Sequence, residues 1–434
     1  MVPGRRWGDH LGDGVVFSVD MEEASAIGAR ARMIRRRRGL SLEVVAGLAG
    51  ITKQYLSALE LGQRGFNRRG LIEDLANALG CSVADLTGQP YPALDRATKD
   101  ALATLPSIRL VLNDFGPTDV PDVTPRPLEA LASLADEANE HCGQAHYSLA
   151  RHDIGSLLAE SQTSALTVPA ARRDQAFTAA VTTCFVAGVV SSRAGNVDLA
   201  ATAALRGYDL AQQHDNPALL GFARWYWALE LTSMAARTRA HAVLSDGIND
   251  LAPAVQLSAA NTLAAEIVGM MHLQQARTAA RRQDADNAHA HLDEAAHIAS
   301  RVGERNGMRQ HFGPTNVAAW RVSVGVELAE GAKVYEDVTA APTDIAALGS
   351  RERSSSLHFD LARVLAQEDG PRDADVIRHL DTADRIAPQR IRSDPIARDL
   401  VLTLDRRAER RVWELDSLLN RFGIGGHGQR SVDN

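Results

Sequence analysis

The N-terminal part of the chain carries apolar residues in five short runs at helical spacing, bounded by glycines or by polar residues that cap helices. Ser41 and Thr52 are typical N-cap residues, and Gly39 and Gly50 suit the turns before them. The pattern predicts five short helices within about 65 residues. The apolar positions are Ile27, Ala31 and Ile34; Leu42, Val45, Ala46 and Ala49; Leu56 and Leu59; Leu71, Leu75, Ala78 and Leu79; and Val83, Ala84 and Leu86.

The C-terminal part contains an internal repeat of small and apolar residues at offsets 0, +4, +7 and +10. Three copies begin at Ala200, Ala288 and Val376, 88 residues apart. Half of this interval predicts further copies at Leu244, which fits well, and at Ala332, which fits poorly. Longer helical stretches precede the copies, so paired helices repeating about every 44 residues predict an α-solenoid. These stretches are 175–193, 217–236, 256–282, 315–329 and 350–366.

A connecting region separates the two parts. Residues 91–113 are predicted to form one helix, and four prolines within 115–127 exclude a continuous helix there. The expected organisation is a flexible arm (1–20), a helical head (21–90), a connection (91–127), a repeat domain (128–422) and a flexible tail (423–434).

The composition favours an all-α fold. Of 434 residues, 71 are alanine and 5% are aromatic, and alanine favours helices whereas aromatic residues favour strands. The cysteines Cys81, Cys142 and Cys184 form no paired motif, which excludes a disulfide scaffold and is typical of a reducing compartment. Because no apolar run reaches about 18 residues and residues 1–20 lack the apolar core of a signal peptide, we expect a soluble cytoplasmic protein without membrane contact.

The charge is unevenly distributed. The net charge is −7, yet residues 24–70 contain ten basic and two acidic side chains, a formal +8, which leaves −15 for the rest. Such asymmetry is typical of a small nucleic-acid-binding domain on an acidic body. A solvated basic helix face is the alternative, and charge alone leaves both open.

Four motifs follow one another in the head: Arg38-Gly39-Leu40-Ser41, Ala46-x-x-Ala49-Gly50-Ile51-Thr52, Tyr55-Leu56-Ser57-x-Leu59-Glu60-x-Gly62 and Leu75-Ala76-x-Ala78-Leu79-Gly80. With them, residues 27–86 resemble the DNA-binding domain of XRE-type regulators. The resemblance implies a five-helix, lambda-repressor-like helix-turn-helix fold that binds double-stranded DNA. It also implies an internal ion pair between Arg35 and Glu60.

The third helix of such a domain enters the major groove, where base edges are distinguishable. Gln54 suits adenine, and Lys53 suits guanine or a phosphate. The alternative interpretation is that each of these side chains is exposed to solvent and does not contact DNA. The expected base-reading residues are Thr52, Lys53, Gln54 and Ser57, and the expected phosphate contacts are Ser41, Tyr55, Arg64, Arg68 and Arg69. Leu42 stands where the family often has a phosphate-anchoring Gln, so we expect a dimer to supply the missing affinity.

The repeats resemble tetratricopeptide repeats at Gly188, Gly195-Asn196, Ala200, Ala204, Gly207 and Leu210, and again at Ala383 and Ile386-Ala387-Pro388. They depart from that family in their greater length and in Cys184 and His272, where Trp is common. A DNA-binding head joined to such a superhelix resembles the architecture of the peptide-pheromone regulators of Gram-positive bacteria. The resemblance implies a homodimer on an inverted-repeat operator, associated with the bacterial nucleoid, whose concave face binds a peptide or small-molecule effector.

The first helices of the pairs are expected to line that concave face. Arg277 and Arg321 suit a carboxylate, because a guanidinium binds it with a planar fork. The alternatives are an aromatic patch at Trp225-Tyr226-Trp227 and arginines paired with neighbouring acids. The candidate effector residues are Tyr226, Glu230, Gln274, Arg277, Asn316, Arg321 and His358.

We expect no metal, cofactor or enzymatic activity. His289 and His291 point to different faces of a helix. The sequence also contains no glycine-rich phosphate loop and no G-x-S-x-G motif. The competing hypothesis to an effector-responsive regulator is a DNA-tethered scaffold whose solenoid binds a protein partner without a small effector.

Overall fold

A computed structural model describes residues 26–92, 96–150, 153–257, 262–340, 344–410 and 412–424. Within these ranges all the regular structure is helical, so the all-α fold is confirmed. The expected arm (1–20) and most of the expected tail, from 425 onward, lie outside the described residues.

The head contains the five predicted helices. Its cap residues act as expected: Ser41 Oγ accepts the N–H of Val44 at 3.2 Å, and Thr52 Oγ1 accepts that of Tyr55 at 3.1 Å. Gly28 permits a close crossing of the first and third helices, because a Cβ there would lie 2.0 Å from Leu59 O. The helices are Ile27–Arg37 (α1), Leu42–Leu48 (α2), Lys53–Glu60 (α3), Arg69–Leu79 (α4) and Val83–Thr87 (α5).

The single helix predicted over 91–113 is instead two helices, Arg96–Leu102 (α6) and Leu105–Asp114 (α7). Pro106 lies in the first turn of α7. Proline is tolerated there but cannot continue a preceding helix, because its ring clashes with the turn before it and it lacks an N–H. The break between α6 and α7 follows from this.

Sixteen α-helices follow in the described part of the chain, and those from α11/α12 to α19/α20 pack in consecutive antiparallel pairs. They are Leu128–Gly143 (α8), Tyr147–Ala150 (α9), Ile154–Thr167 (α10), Arg173–Arg193 (α11), Val197–Ala211 (α12), Pro217–Ser233 (α13), Arg237–Leu257 (α14), Thr262–Arg281 (α15), Ala285–Val302 (α16), Pro314–Leu328 (α17), Ala332–Ala340 (α18), Arg351–Leu365 (α19), Asp373–Ile386 (α20), Pro388–Arg392 (α21), Pro395–Arg407 (α22) and Trp413–Arg421 (α23).

The second helices carry the sequence repeat on their buried faces. Ala200, Ala288 and Val376, which begin the three clear copies, are fully buried. The weak copy at Ala332 coincides with α18, which has only nine residues, none of them buried. Each helix pair therefore packs on its neighbours, as in a solenoid.

The proline-rich segment 115–127 is irregular but is fastened to the solenoid. Gln162 on α10 donates to the carbonyl oxygens of Gly116 and Asp119, both at 2.8 Å. Arg126 binds Glu160 with an Nε–Oε2 distance of 2.7 Å. This segment is thus part of the surface of the solenoid, and the covalent connection from the head precedes it.

The solenoid closes on itself. Ser350 Oγ, just before α19, donates to Gly143 O at the end of α8 at 2.7 Å. Beside it, Arg193 at the end of α11 pairs with Glu352 at 2.6 Å. These contacts bring the start and the end of the array together around a central cavity.

One stretch, Ala170–Arg193, is long and apolar enough by composition to cross a membrane. It contains α11, and 78% of its most apolar window is buried inside the protein. Its apolar side chains pack against α8, α10 and α12, which accounts for the composition.

Candidate DNA-binding face and central cavity

The outer face of α3 presents polar side chains to solvent. Thr52, Lys53 and Gln54 are exposed and Ser57 is half-buried, while Leu56 on the opposite face is fully buried. Lys53 pairs with Glu43, but the side chains are 51% and 59% exposed. Exposed ion pairs contribute little stability, so this pair leaves Lys53 free to contact another charged partner.

Further residues that the sequence assigns to DNA contact or to support of the head lie around this face. Ser41 is exposed at the start of α2, and the Arg64 guanidinium lies 5.5 Å from the centroid of the Tyr55 ring. Inside the head, Arg35 Nε and Nη2 each lie 2.6 Å from one oxygen of the Glu60 carboxylate. Both residues of this pair are buried, so it holds the first helix against the end of α3.

The three arginines expected to contact phosphate each have a partner on the solenoid. Arg64 lies 3.1 Å from Asp369, although its side chain remains 51% exposed. Arg68 Nη1 donates to Gln283 at 3.1 Å. Arg69 pairs with Asp394 on the turn before α22. The pairing of Arg69 with the buried Asp394 corrects the expectation that Arg69 lies open to DNA, whereas the partly exposed Arg64 and Arg68 stay predicted phosphate contacts.

Glu327 of α17 fastens the start of α4. Its carboxylate accepts the backbone N–H groups of Arg69 at 3.2 Å and Gly70 at 3.1 Å, which supplies the cap that Arg68 at the N-cap position does not provide. Burial alone would raise the pKa of Glu327, but Arg363 and other positive partners outweigh burial and lower the pKa to about 2. Glu327 is therefore a buried carboxylate at a helix N-terminus, where negative charge is favoured.

A second buried cluster joins the middle of α4 to the solenoid. Glu73 lies 2.7 Å from Arg237 and 2.7 Å from Arg281. Nearby, the N–H of Phe66 donates to Asp399 of α22 at 2.8 Å. The head is therefore docked through α4 and the preceding loop, while the outer face of α3 remains open.

The central cavity has a volume of about 290 Å³. The first helices α11, α13, α15, α17 and α19 line it, together with Arg69, Ile72 and Glu73 of α4. One wall of the cavity therefore belongs to the head itself.

Four of the seven candidate effector residues line this cavity, namely Tyr226, Glu230, Arg277 and Asn316.

The other three candidate residues do not line the cavity. Gln274 is fully buried beneath its wall and donates to Thr232 Oγ1 at 3.0 Å. Arg321 pairs with Asp293 at the exposed surface, because it follows Trp320 by one residue and so points about 100° away from it around α17. His358 faces α20, where its Nδ1 lies 3.1 Å from Nδ1 of His379.

Sequence reasoning missed several cavity residues, among them Arg193, Glu352 and Arg353. Arg193 is the last residue of α11, and the other two lie in the first turn of α19. Charged residues at helix ends are usually solvated, so helical periodicity gives no signal for them. Only the closure of the solenoid brings these helix ends inward.

Neither histidine of the 289–291 motif faces a metal cluster. His289 contacts Glu330 at 2.8 Å, and His291 contacts His272 at 3.0 Å. Among the residues that the structure describes, no three His, Cys, Asp or Glu side chains form a group that could hold a metal ion.

The cavity wall carries buried polar atoms without hydrogen-bond partners among the described residues. They include Trp225 Nε1, Tyr226 Oη, Glu230 Oε2 and Asn316 Oδ1. Each of these residues is at least 97% buried. Since buried polar groups in proteins are nearly always hydrogen-bonded, this wall has unmet capacity to bind a polar molecule.

Comparison with known proteins places the head in a family. A family model described as "Helix-turn-helix domain" matches residues 26–87. An uncharacterized HTH-type transcriptional regulator, y4dJ of Sinorhizobium fredii (strain NBRC 101917 / NGR234), is 39% identical over 66 residues, which are 15% of this chain and 84% of that protein. The chain belongs to the helix-turn-helix family of transcriptional regulators.

A solved structure also matches this helix-turn-helix regulator weakly. It is Bacillus thuringiensis PlcR in complex with the peptide PapR7 and DNA, at 11% identity. The match covers 64% of this chain and 95% of the PlcR chain, with a TM-score of 0.27. A likeness at that score supports no inference about the arrangement or the ligands of the regulator.

Substitutions on α3 of the regulator test the predicted division between base and phosphate contacts. Gln54→Ala or Lys53→Ala is expected to cost about 1–3 kcal/mol of operator affinity and to relax specificity at one base pair, whereas Arg68→Ala is expected to weaken binding to all sequences alike. Fluorescence anisotropy on an operator and its single-base variants measures both effects. Uniform losses from all three variants would contradict the assignment of base readers.

The charge state of Glu230 predicts a pH-dependent stability. Burial raises the pKa of Glu230 to about 7, although the positive charge of Arg193 opposes this rise. Because the folded pKa lies above the ordinary glutamate pKa of about 4.5, the folded state holds the proton more tightly than the unfolded state. The stability present at low pH is therefore lost as the pH rises from about 4.5 through 7. Since one pKa unit corresponds to about 1.4 kcal/mol, Glu230→Gln is expected to stabilise the ligand-free protein by up to about 3 kcal/mol at pH 8 and little at pH 5.

Thermal unfolding at the two pH values measures this difference. The control is Glu294→Gln, at an exposed position of α16, which is expected to change nothing at either pH. An equal effect of Glu230→Gln at pH 5 and pH 8 would show that Glu230 does not titrate in this range.

Proposed function

We propose that this regulator binds an inverted-repeat operator as a homodimer and that an effector in the central cavity alters this binding. The single observation that supports it is the shared wall: α4 of the DNA-binding head lines the same cavity as the solenoid helices. A molecule in the cavity therefore touches both parts of the protein.

The coupling needs an effector that interacts differently with two positions of the head. Arg69 and Glu73 line the cavity and also form the ion pairs that dock α4. An effector that competes for these groups weakens the docking, whereas one that bridges them strengthens it. Either case changes the spacing of two heads in a dimer, and hence their fit to two half-sites.

The dimer is part of the proposal because a single head has limited contacts with DNA. Leu42 occupies the position where the XRE family often has a phosphate-anchoring Gln, and Arg69 is paired within the protein. Two heads on one inverted repeat double the remaining contacts. We propose residues 21–90 as the DNA-binding unit and 128–422 as the sensing and dimerising unit, in the cytoplasm of a bacterium.

Footprinting of the full chain on the DNA upstream of its own gene tests this function. We expect a protected inverted repeat, and a change in affinity of about 5–150-fold on adding a small-molecule extract of the host cells. Arg321→Ala, outside the cavity, is the control that keeps the response. Protection of no sequence at low salt would refute the operator, and a half-site alone would refute the dimer.

An unchanged affinity with the extract, together with a stoichiometric protein that co-purifies with the chain, would instead support a DNA-tethered scaffold. In that case the solenoid serves a protein partner, and the cavity has no regulatory ligand.

A further inference from the structure

The central cavity has an excess of positive charge. Eight arginines and six carboxylates line it. Six of the arginines are ion-paired: Arg69, Arg193, Arg281, Arg309, Arg363 and Arg390. Arg277 and Arg353 make no ion pair within the described part of the chain.

Both unpaired arginines lie near the ring of Trp320. The guanidinium carbon of Arg277 is 4.8 Å from the centroid of the Trp320 ring, and that of Arg353 is 6.0 Å from it. Burial lowers the pKa of Arg353 to about 10, and burial with neighbouring arginines lowers the pKa of Arg277 well below its ordinary value. A guanidinium without an ion-paired carboxylate in such a setting is unfavourable, and an anion that binds there would relieve part of this cost.

We propose that the effector is a small organic acid whose carboxylate binds the unpaired arginines Arg277 and Arg353 near Trp320. This inference rests on the proposed function and names the ligand class of the same cavity. Arginine suits a carboxylate because two parallel N–H groups match its two oxygens. The aromatic and aliphatic part of the wall, with Phe185, Leu229 and Leu357, suits the apolar body of such an acid.

The charge count of the lining favours an anionic ligand. Glu230 is the lining carboxylate without an ion pair among the residues that the structure describes. Eight arginines and six carboxylates leave a formal charge of +2 on the lining even with every carboxylate ionised, and a carboxylate on the ligand reduces this excess. The free oxygens of Glu230 and Asn316 then accept hydrogen bonds from a donor elsewhere on the ligand, such as a hydroxyl or an amine.

The volume of the cavity favours a small molecule over a peptide. At about 290 Å³ it lies at the lower end of the roughly 300–1,000 Å³ of typical ligand pockets. A peptide of several residues would have to leave most of its length outside. We therefore assign the site beside these arginines to a free organic acid rather than to a peptide C-terminus.

Isothermal titration calorimetry on the full chain tests the ligand class. The probes are hexanoate, phenylacetate and indole-3-acetate, with phenylacetamide, inorganic phosphate and trileucine for comparison. We expect saturable binding of at least one acid at concentrations below roughly 10 mM, and binding of the amide weaker than that of phenylacetate by about tenfold or more, because the amide lacks the charge-assisted bonds.

Variants separate ligand binding from a structural role. Arg277→Gln and Arg353→Gln are each expected to weaken binding of the best acid by about tenfold or more. Each is also expected to raise the melting temperature of the ligand-free protein, because it removes a half-buried charge that has no ion-pair partner. Arg321→Gln, on the same helix as Trp320 but outside the cavity, is the matched control that leaves binding unchanged.

Several results would overturn the inference. They are equal binding of phenylacetate and its amide, tighter binding of phosphate or trileucine than of every acid, and no saturable binding of any acid. Arginine variants that melt at lower temperature yet bind the acid normally would show that Arg277 and Arg353 stabilise the fold and do not bind the ligand.

These experiments distinguish a failure of the proposed ligand class from a failure of the proposed regulatory function. An acid that binds the cavity without changing operator affinity supports this inference and refutes regulation through the cavity. An extract that changes operator affinity while no acid binds supports the regulatory function and refutes the carboxylate.

Discussion

Replacing Glu327 by alanine is expected to cost about 3–5 kcal/mol and to loosen the head from the solenoid. The carboxylate lies 2.7 Å from Arg363 Nη2, and these two side chains are 2% and 3% exposed. Its removal leaves part of a buried guanidinium unpaired, which is the costly way to break a buried ion pair. It also leaves two N–H groups at the start of α4 without an acceptor.

Thermal unfolding and limited trypsin digestion measure the two consequences, since a loosened head exposes Arg64, Arg68 and Arg69 to cleavage. The double variant Glu327→Met with Arg363→Met is expected to recover part of the stability, because apolar side chains replace buried ion pairs at little cost. Glu330→Ala, on the exposed turn after α17, serves as the control, with an effect within about 0.5 kcal/mol. An unchanged melting temperature and digestion pattern for Glu327→Ala would contradict this account of docking.

Replacing Glu60 by alanine is expected to destabilise the head by about 3–5 kcal/mol. Arg35, 9% exposed, binds both oxygens of Glu60 and also donates to Leu40 O at 3.0 Å. Without the carboxylate, the guanidinium stays buried with a single backbone partner, and the angle between α1 and α3 loses its main polar restraint. Operator affinity is expected to fall with stability, because α3 must be held rigidly to reach base edges.

The control for this experiment is Arg36→Ala, because Arg36 is exposed on α1 and its loss is expected to change stability by less than about 0.5 kcal/mol. Arg35→Lys is a sharper test: an ammonium cannot make the two parallel bonds of a guanidinium, so this variant is expected to recover little of the stability. Full recovery by lysine would mean that charge alone, and not the fork geometry, supports the head.

The helices of the head were predictable because their signals are local. Ser41 and Thr52 cap helices that begin one residue later, and Leu56 packs inward from a position that periodicity identifies. The ion pair of Arg69 was not predictable in the same way. Its partner Asp394 lies 325 positions further along the chain, and nothing in either local sequence indicates that the two meet.

Prediction of the cavity residues from the sequence was limited in the same way. Tyr226, Glu230 and Arg277 followed from the phase of the repeat, because residues on the inner face of successive first helices fall on one surface. Arg321 did not, since a shift of one residue turns a side chain by about 100° around a helix. Arg353 was missed because a charged first turn normally faces water, and only long-range closure puts it inside.

Closure of the helical array also bears on how such a protein can change over generations. An open array tolerates the gain or loss of a whole helix pair, because each pair contacts only its neighbours. Here Ser350 and Gly143, 207 positions apart, are hydrogen-bonded across the seam. Adding or deleting one pair would shift the two ends past each other and open the chamber, so the number of pairs in this protein is constrained as in a ring rather than free as in a chain.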